Sequence, residues 1–380
     1  MDLVLTEEQE LLQHTAREFV TKNSSLRRIR ALRDSQEPLG YSRELYAEMA
    51  KLGWLGIVFP EEYGGSALGY ADLMVVLEEL GRGLMPEPLL STVLLGGGAI
   101  ATGGSRAQRE ALLPPLINGE LLMTLAHQEP RSRYNPLHIE TRAEKSGNSW
   151  VLNGTKIQVP DGVGADRLIV PARTRGHVAD RAGITLFLID TKAAGLTVER
   201  QSRIDSRNAA LVRLDNVRAG ADDVIGSVDG GGDVLAAIID AATIGLCAEM
   251  LGSMTATLEM TLAYLKTRTQ FGVPIGSFQA LKHRAAKLYI ETELARSAVM
   301  AAHKALDENS SEVPRLTSIA KARCSDVFAL MGNEAVQMHG GIGMTDEHDI
   351  GFFIKRARAA EITFGDAAYH RNRFAELHGY

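Results

Sequence analysis

Cysteine is scarce in this chain. Only Cys247 and Cys324 occur in 380 residues, both within strongly helical stretches. A disulfide framework or a cysteine-based zinc site is not to be expected, and a reducing compartment fits. Charge of one sign is also missing in excess, since 41 Lys and Arg face 47 Asp and Glu for a net −6. That balance gives no electrostatic reason to expect nucleic acid or an anionic membrane as partner. The N-terminal "MDLVLTEEQELLQHTAREFV" lacks the basic-then-apolar layout of a signal peptide. No apolar run reads as approaching the roughly 20 residues of a membrane span. What these absences leave is a soluble, cytoplasmic globular chain. Its 45% hydrophobic and 23% charged residues are ordinary for that class, and its length allows two or three subdomains.

Three textures follow one another. Over 1–120 the pattern is helical. Thr6 followed by Glu7, Glu8 and Glu10 forms an N-cap with an acidic first turn. "ELYAEMAKLGWLG" and "YADLMVVLEELGRGL" repeat apolar residues at helical spacing, separated by the turn-formers of "FPEEYGG". Over 121–225 short β-rich runs alternate with Gly, Asn and Asp, as in an antiparallel sheet or barrel. "SGNSWVLNG" reads as a hairpin turning at Gly147-Asn148. Over 226–380 helix returns, led by the Ala-rich "DVLAAIIDAATIGLCAEMLGSMTATLEMTLAYLKTR", whose small residues suit close packing. Two helices near 279–307 and 314–338, a Gly-rich break and a last helix complete the chain. The expected fold is α+β: a helical N-terminal domain, a central antiparallel β domain and a C-terminal four-helix bundle. "GGGAIATGG" (96–104) and "GSVDGGG" (226–232) match neither GxGxxG after a strand nor a P-loop, and read as turns.

"YLKTRTQFGVPIGSFQALKHRAAKL" (264–288) and "EAVQMHGGIGMTDEHDIGFFIKRARAAEITFG" (334–365) carry a resemblance to the acyl-CoA dehydrogenase family of flavoproteins. "WLGIVFPEEYGG" and "NGTKIQV" extend it over essentially the whole chain. The resemblance implies FAD, an acyl-CoA substrate, an oligomer and electron-transfer flavoprotein as electron acceptor. The reaction it implies is α,β-dehydrogenation: a carboxylate takes the α-proton and the cofactor takes hydride from the β-carbon. Arg268, at the end of a long helix, would contact phosphate, or merely complement the helix dipole. Phe271 would touch the cofactor or cap a core, and Gln279 would lie near the adenosine or simply start a helix. Gln337 would act as an amide donor, while Gly340, Gly341 and Gly343 admit a ligand or permit a tight turn. In family dimers these residues serve the flavin held mainly by the neighbouring subunit. His339, His348 and His370 fit no compact zinc spacing, and no metal is expected.

The other half of the family's flavin site departs from its pattern. Where the family usually has Thr-Glu-Pro-Gly-x-Gly-Ser, this chain reads "QEPRSRYNP" (128–136), keeping Glu129 and Pro130 but placing Gln128 and Tyr134 at the hydroxyl positions. Where the family has Trp-Ile-Thr after Asn-Gly-x-Lys, this chain has Gln158 and Pro160 at the indole and hydroxyl positions. Proline supplies neither N–H nor hydroxyl. The usual catalytic glutamate falls on Phe364, and the alternative base position on Ala242. Neither accepts a proton. A displaced base would have to be Asp366, Asp240, Glu249 or Glu361, with Asp366 first, although each also reads as a surface or capping carboxylate. The pattern resembles the non-base-bearing subunit of heteromeric bacterial acyl-CoA dehydrogenases of steroid side-chain and dicarboxylate degradation. A homo-oligomeric dehydrogenase with a relocated base, and a non-enzymatic acyl-CoA-binding scaffold, are the alternatives.

Overall fold

The computed structural model describes residues 4–35 and 37–380, so the first three residues of the N-terminal stretch lie outside it. Helices come first: α1 (Glu7–Asn23), α2 (Leu26–Ser35), α3 (Arg43–Lys51), α4 (Tyr70–Arg82), α5 (Gly98–Gly103) and α6 (Arg106–Ile117). Strands follow: β1 (Met123–Leu125), β2 (Arg142–Ser146), β3 (Ser149–Pro160), β4 (Arg167–Arg173), β5 (Ile184–Asp190), β6 (Leu196–Arg200), β7 (Ala209–Ala219) and β8 (Val224–Ile225). Then come α7 (Gly231–Thr267), the small hairpin β9 (Thr269–Gln270) and β10 (Val273–Pro274), α8 (Gln279–Asp307), α9 (Val313–His339), α10 (Ile350–Ile362) and α11 (Ala367–Leu377). By contact the residues group into two compact units. A helical unit holds the chain up to Ala31, Tyr70–Met85 and Thr243–Tyr380; a sheet unit holds Leu32–Gly69 and Pro86–Ala242.

In the sheet unit the strand order is β6-β7-β3-β2-β4-β5-β8, with β1 added beside β4. The sheet is mixed rather than purely antiparallel, because β4 runs parallel to both β1 and β2. The predicted hairpin is present, with Ser146 opposite Ser149 and Gly147 at φ 64°. Alternate residues of the strands, among them Leu152, Leu168, Val170, Phe187 and Val212, bury into one core. "GGGAIATGG" is a correction to the expected turns. Gly96 and Gly97 end a π-helical stretch (Leu90–Gly97) and α5 continues from it. A Cβ on Gly97 would come within 2.5 Å of the Phe59 ring, so these glycines serve close packing inside a buried helix.

In the helical unit, Thr6 caps α1 in a capping box with Gln9. Arg17 of α1 grips the buried Glu79 of α4 with two hydrogen bonds, 2.7 and 3.2 Å. Helices α4 and α7 cross with their backbones touching. A Cβ on Gly81 would collide with the backbone of Glu249, and one on Gly252 with the carbonyl of Glu78. Ser253 Oγ donates to Gly81 O at 2.8 Å across the same crossing. The close approach is what the small residues of α7 permit. α7 also corrects the expectation about apolar runs: it is long and apolar enough to cross a membrane, yet 83% of its most apolar window is buried in the protein. Its apolarity belongs to a core helix. The expected single last helix is two, α10 and α11, broken at Thr363–Asp366 by left-handed Phe364 (φ 58°) and Gly365 (φ 108°).

Candidate active site

At the end of α7 the chain leaves the helix at Arg268, whose N–H still donates to Tyr264 O at 2.9 Å. Six residues of hairpin (269–274) bring it back, and Ile275 N donates to Arg268 O at 2.8 Å, closing the loop. Phe271 sits at the tip with φ 54°, a conformation that is an outlier for a bulky residue. The residue is 92% exposed, and its ring meets the edge of the Phe278 ring, centroids 6.1 Å apart. The Arg268 guanidinium is exposed and has no carboxylate partner among the described residues. Gln279, the first residue of α8, is exposed as well.

At the end of α9, Gln337 is exposed and Gly340 adopts φ 66°, ψ −145°, which only glycine takes readily. The neighbouring glycines separate by cause. A Cβ on Gly343 would stand 2.8 Å from Val336 O and 3.0 Å from His339 Cβ, so packing within the chain demands glycine there. A Cβ on Gly341 would meet nothing within 4 Å, and its φ lies outside the left-handed range. Open backbone at Gly341, an arginine with no carboxylate partner among the described residues and an uncovered aromatic ring suit a phosphate-bearing, aromatic ligand such as a flavin dinucleotide. The chemistry of these residues fits that group.

The departing segments lie in the sheet unit. Glu129 is buried and fully engaged: Lys156 Nζ lies 2.6 Å from its Oε1, and the backbone N–H groups of Glu140 and Thr141 donate to it. These contacts hold the Glu129 carboxyl below its ordinary pKa, although burial, the largest single influence, pushes the other way. Burial pushes Lys156 down, against its attraction to Glu129. Glu129 and Lys156, one kept from each of the two family segments, therefore form a structural pair. Two residues beyond Lys156, β3 bulges between Lys156 and Val159 against β7. Gln158 sits there with φ 51°, its N–H donating to Gln201 Oε1 at 2.6 Å. Pro160 closes the strand, and its carbonyl accepts from Thr124 Oγ1 at 2.8 Å. This segment offers a ring system neither an indole nor a hydroxyl donor, so it does not fit a flavin in the family's manner.

The carboxylates considered as bases divide by occupation. Asp366 is the N-cap of α11, and its Oδ1 accepts from Tyr369 N at 2.8 Å. The segment around it is a turn rather than a helix. Glu249 pairs with Arg356 at 2.8 Å and Glu361 with Arg358 at 2.6 Å. Asp240 is buried and Ala242 fully so.

Phe364 occupies a turn fixed from two sides, which sequence reasoning did not reveal. Lys321 Nζ, fully buried, donates to Glu361 O at 2.9 Å, Gly365 O at 2.6 Å and Ser325 Oγ at 3.0 Å. His370 Nε2 lies 3.0 Å from Phe364 O. Burial pushes the Lys321 ammonium down to about 8. Burial first, then the Lys321 charge, pushes His370 down to about 3. A lysine one helix away from the glycine turn was the only available signal.

The three histidines do not converge. His339 stacks on Tyr264 (4.5 Å) and against His348 (4.4 Å), while His370 lies with Ser318 and Phe364. Among the described residues no group of three or more His, Cys, Asp or Glu is placed to hold a metal ion.

Comparison with known proteins identifies the frame. Family models for the acyl-CoA dehydrogenase N-terminal, middle and C-terminal domains match residues 6–120, 124–217 and 229–377. The chain is 34% identical to acyl-CoA dehydrogenase IpdE2 of Mycolicibacterium smegmatis, over 95% of this chain and 96% of that one. A solved variant of the Tcur3481-Tcur3483 steroid ACAD is 32% identical, with TM-score 0.88 and 98% coverage of both chains. The ChsE4-ChsE5 complex from Mycobacterium tuberculosis supplies a chain that is 26% identical, with TM-score 0.90, covering 99% of this chain and 98% of that one. The chain belongs to the acyl-CoA dehydrogenase family, FAD flavoproteins that oxidise CH–CH bonds of acyl-CoA thioesters.

Proposed function

We propose that this chain is the non-base-bearing subunit of a heteromeric acyl-CoA dehydrogenase. One observation carries the reading: both usual base positions hold residues that take no proton, Phe364 and Ala242, while Arg268, Phe271, Gln279, Gln337, Gly340 and Gly341 remain exposed. Those exposed groups would complete a cofactor pocket on a homologous, base-bearing partner: Arg268 would meet phosphate, Phe271 and Gly341 would lie against the cofactor, and the two glutamines would donate hydrogen bonds. FAD would supply hydride acceptance there, and a carboxylate on the partner would take the α-proton. The altered "QEPRSRYNP" loop and the Gln158 bulge leave this chain's own half-site without flavin, so the complex carries fewer flavins than chains. Two of the solved relatives are named as pairs of chains, one of them a steroid enzyme, which supports a bulky polycyclic acyl-CoA as substrate. Electron-transfer flavoprotein is the acceptor and the cytoplasm the compartment. Co-expression with candidate partners, followed by flavin absorbance and protein quantitation, tests the reading. Fewer than one FAD per chain in an active complex, and no turnover by the chain alone, is the expected result. One FAD per chain in an active homo-oligomer would overturn it.

A further inference from the structure

The residues proposed for cofactor contact come from two places far apart in sequence. Arg268 and Phe271 leave the end of α7, whereas Gln337, Gly340 and Gly341 belong to the end of α9 and the turn after it. One ligand can meet both sets only if their spacing is held, because binding groups act together only when their positions are fixed in advance.

Three aromatic rings join the two places. Tyr264 near the end of α7 and His339 at the end of α9 lie 4.5 Å apart between centroids, tilted by 31°. His348, just before α10, lies 4.4 Å from His339 and meets Tyr264 edge-on at 6.2 Å. Each ring thus touches the other two, in geometries that aromatic pairs favour.

Each ring is also tied to the segment it places. Arg268 lies one helical turn beyond Tyr264, and its N–H donates to the Tyr264 carbonyl. Gly340 follows His339 directly, and the turn folds so close that a Cβ on Gly343 would stand 3.0 Å from His339 Cβ. His348 Nδ1 accepts from Ile350 N at 3.2 Å, and Arg30 of α2 holds the same segment through Asp346 at 2.9 Å and Asp349 at 2.8 Å. His339 is itself buried, with Nδ1 2.7 Å from Ala335 O and no hydrogen-bond partner at Nε2. Burial pushes its pKa below the ordinary value, so the ring in the stack is neutral at pH 7.

We propose that Tyr264, His339 and His348 are positioning residues, whose stack sets the spacing between Arg268 and the Gly340–Gly341 backbone and so the grip of this chain on a phosphate-bearing cofactor. The proposal rests on the cofactor reading given above and adds to it three residues that act through the two loops.

Two measurements separate the stack from that reading. Hydrogen exchange on the full chain alone reads the link between the loops. His339→Leu removes a ring from α9 only, yet exchange should quicken about tenfold at residues 268–278 as well as at 340–345. His339→Phe keeps a neutral ring and should restore slow exchange at both. If His339→Leu does not fold by circular dichroism, Tyr264→Leu must instead quicken exchange at 340–345. FAD titration of the assembled complex, followed by flavin fluorescence, reads the consequence. His339→Leu should weaken FAD affinity about tenfold, the lower end of what losing a charge-assisted contact removes. His339→Phe should restore it, and the loss should not add to that of Arg268→Ala in a double-mutant cycle. Exchange altered only in the substituted loop, or losses that add in full, would make the stack mere bundle packing and overturn the proposal. An FAD affinity indifferent to Arg268→Ala would instead remove the cofactor reading, and this role with it, even where exchange links the loops.

Discussion

Asp366 shows how a single residue can look catalytic and be occupied otherwise. Its carboxylate caps α11, and asparagine caps nearly as well as aspartate. Asp366→Asn should therefore leave both stability and the activity of the assembled complex nearly unchanged. Asp366→Ala should cost about 1 kcal/mol of stability, read by urea unfolding. A fall in activity of about 100-fold in Asp366→Asn would instead assign the base to this turn. Arg268 makes the complementary case, a cation with no carboxylate partner among the described residues. Arg268→Ala should remove a charge-assisted contact of ~1.5–3 kcal/mol, and flavin should be lost on dialysis of the complex. Retained flavin would reduce Arg268 to a helix-end residue.

The elements were legible in the sequence wherever periodicity and caps agreed. Thr6 marked the start of α1, and Gly147-Asn148 marked the turn between β2 and β3. The glycine run at 96–104 was misread because glycine is ambiguous: it breaks helices on a surface but lets buried ones approach neighbours closely. Only the partner, the Phe59 ring, decides between these. The same limit hid the length of the apolar stretch in α7 and the break after α10, which depends on Lys321 from another helix. In the site, the identities of Phe364 and Pro160 were readable as absences, whereas the bulge at Gln158 required the register of β7. The α4–α7 crossing carries a prediction of its own. Gly252→Ala forces a methyl group into the Glu78 carbonyl, and overpacking of this kind costs ~1–3 kcal/mol. A loss of stability in that range on denaturant unfolding is expected, and an unchanged midpoint would mean the crossing yields more readily than its geometry implies.

For the whole molecule, acid should be the sensitive direction. Burial lowers His127 to about 4, and His303 and His370 to about 3. These folded values lie below the unfolded value of about 6.5. Between them the unfolded chain binds more protons, so stability is full above pH ~6.5 and falls as pH drops towards ~4 and ~3. Each histidine contributes a slope of up to ~1.4 kcal/mol per pH unit in that window. Urea midpoints from pH 7 to 5 should fall accordingly, and less steeply in His303→Leu; a flat profile would show that these rings protonate without unfolding. A different consequence follows from Phe271, held in a left-handed conformation with its ring in the open. Among the described residues only the Phe278 edge meets that ring, so selection on it would act mainly through whatever else the ring touches. A drift at position 271 should then be answered by a compensating change on the surface that the ring touches.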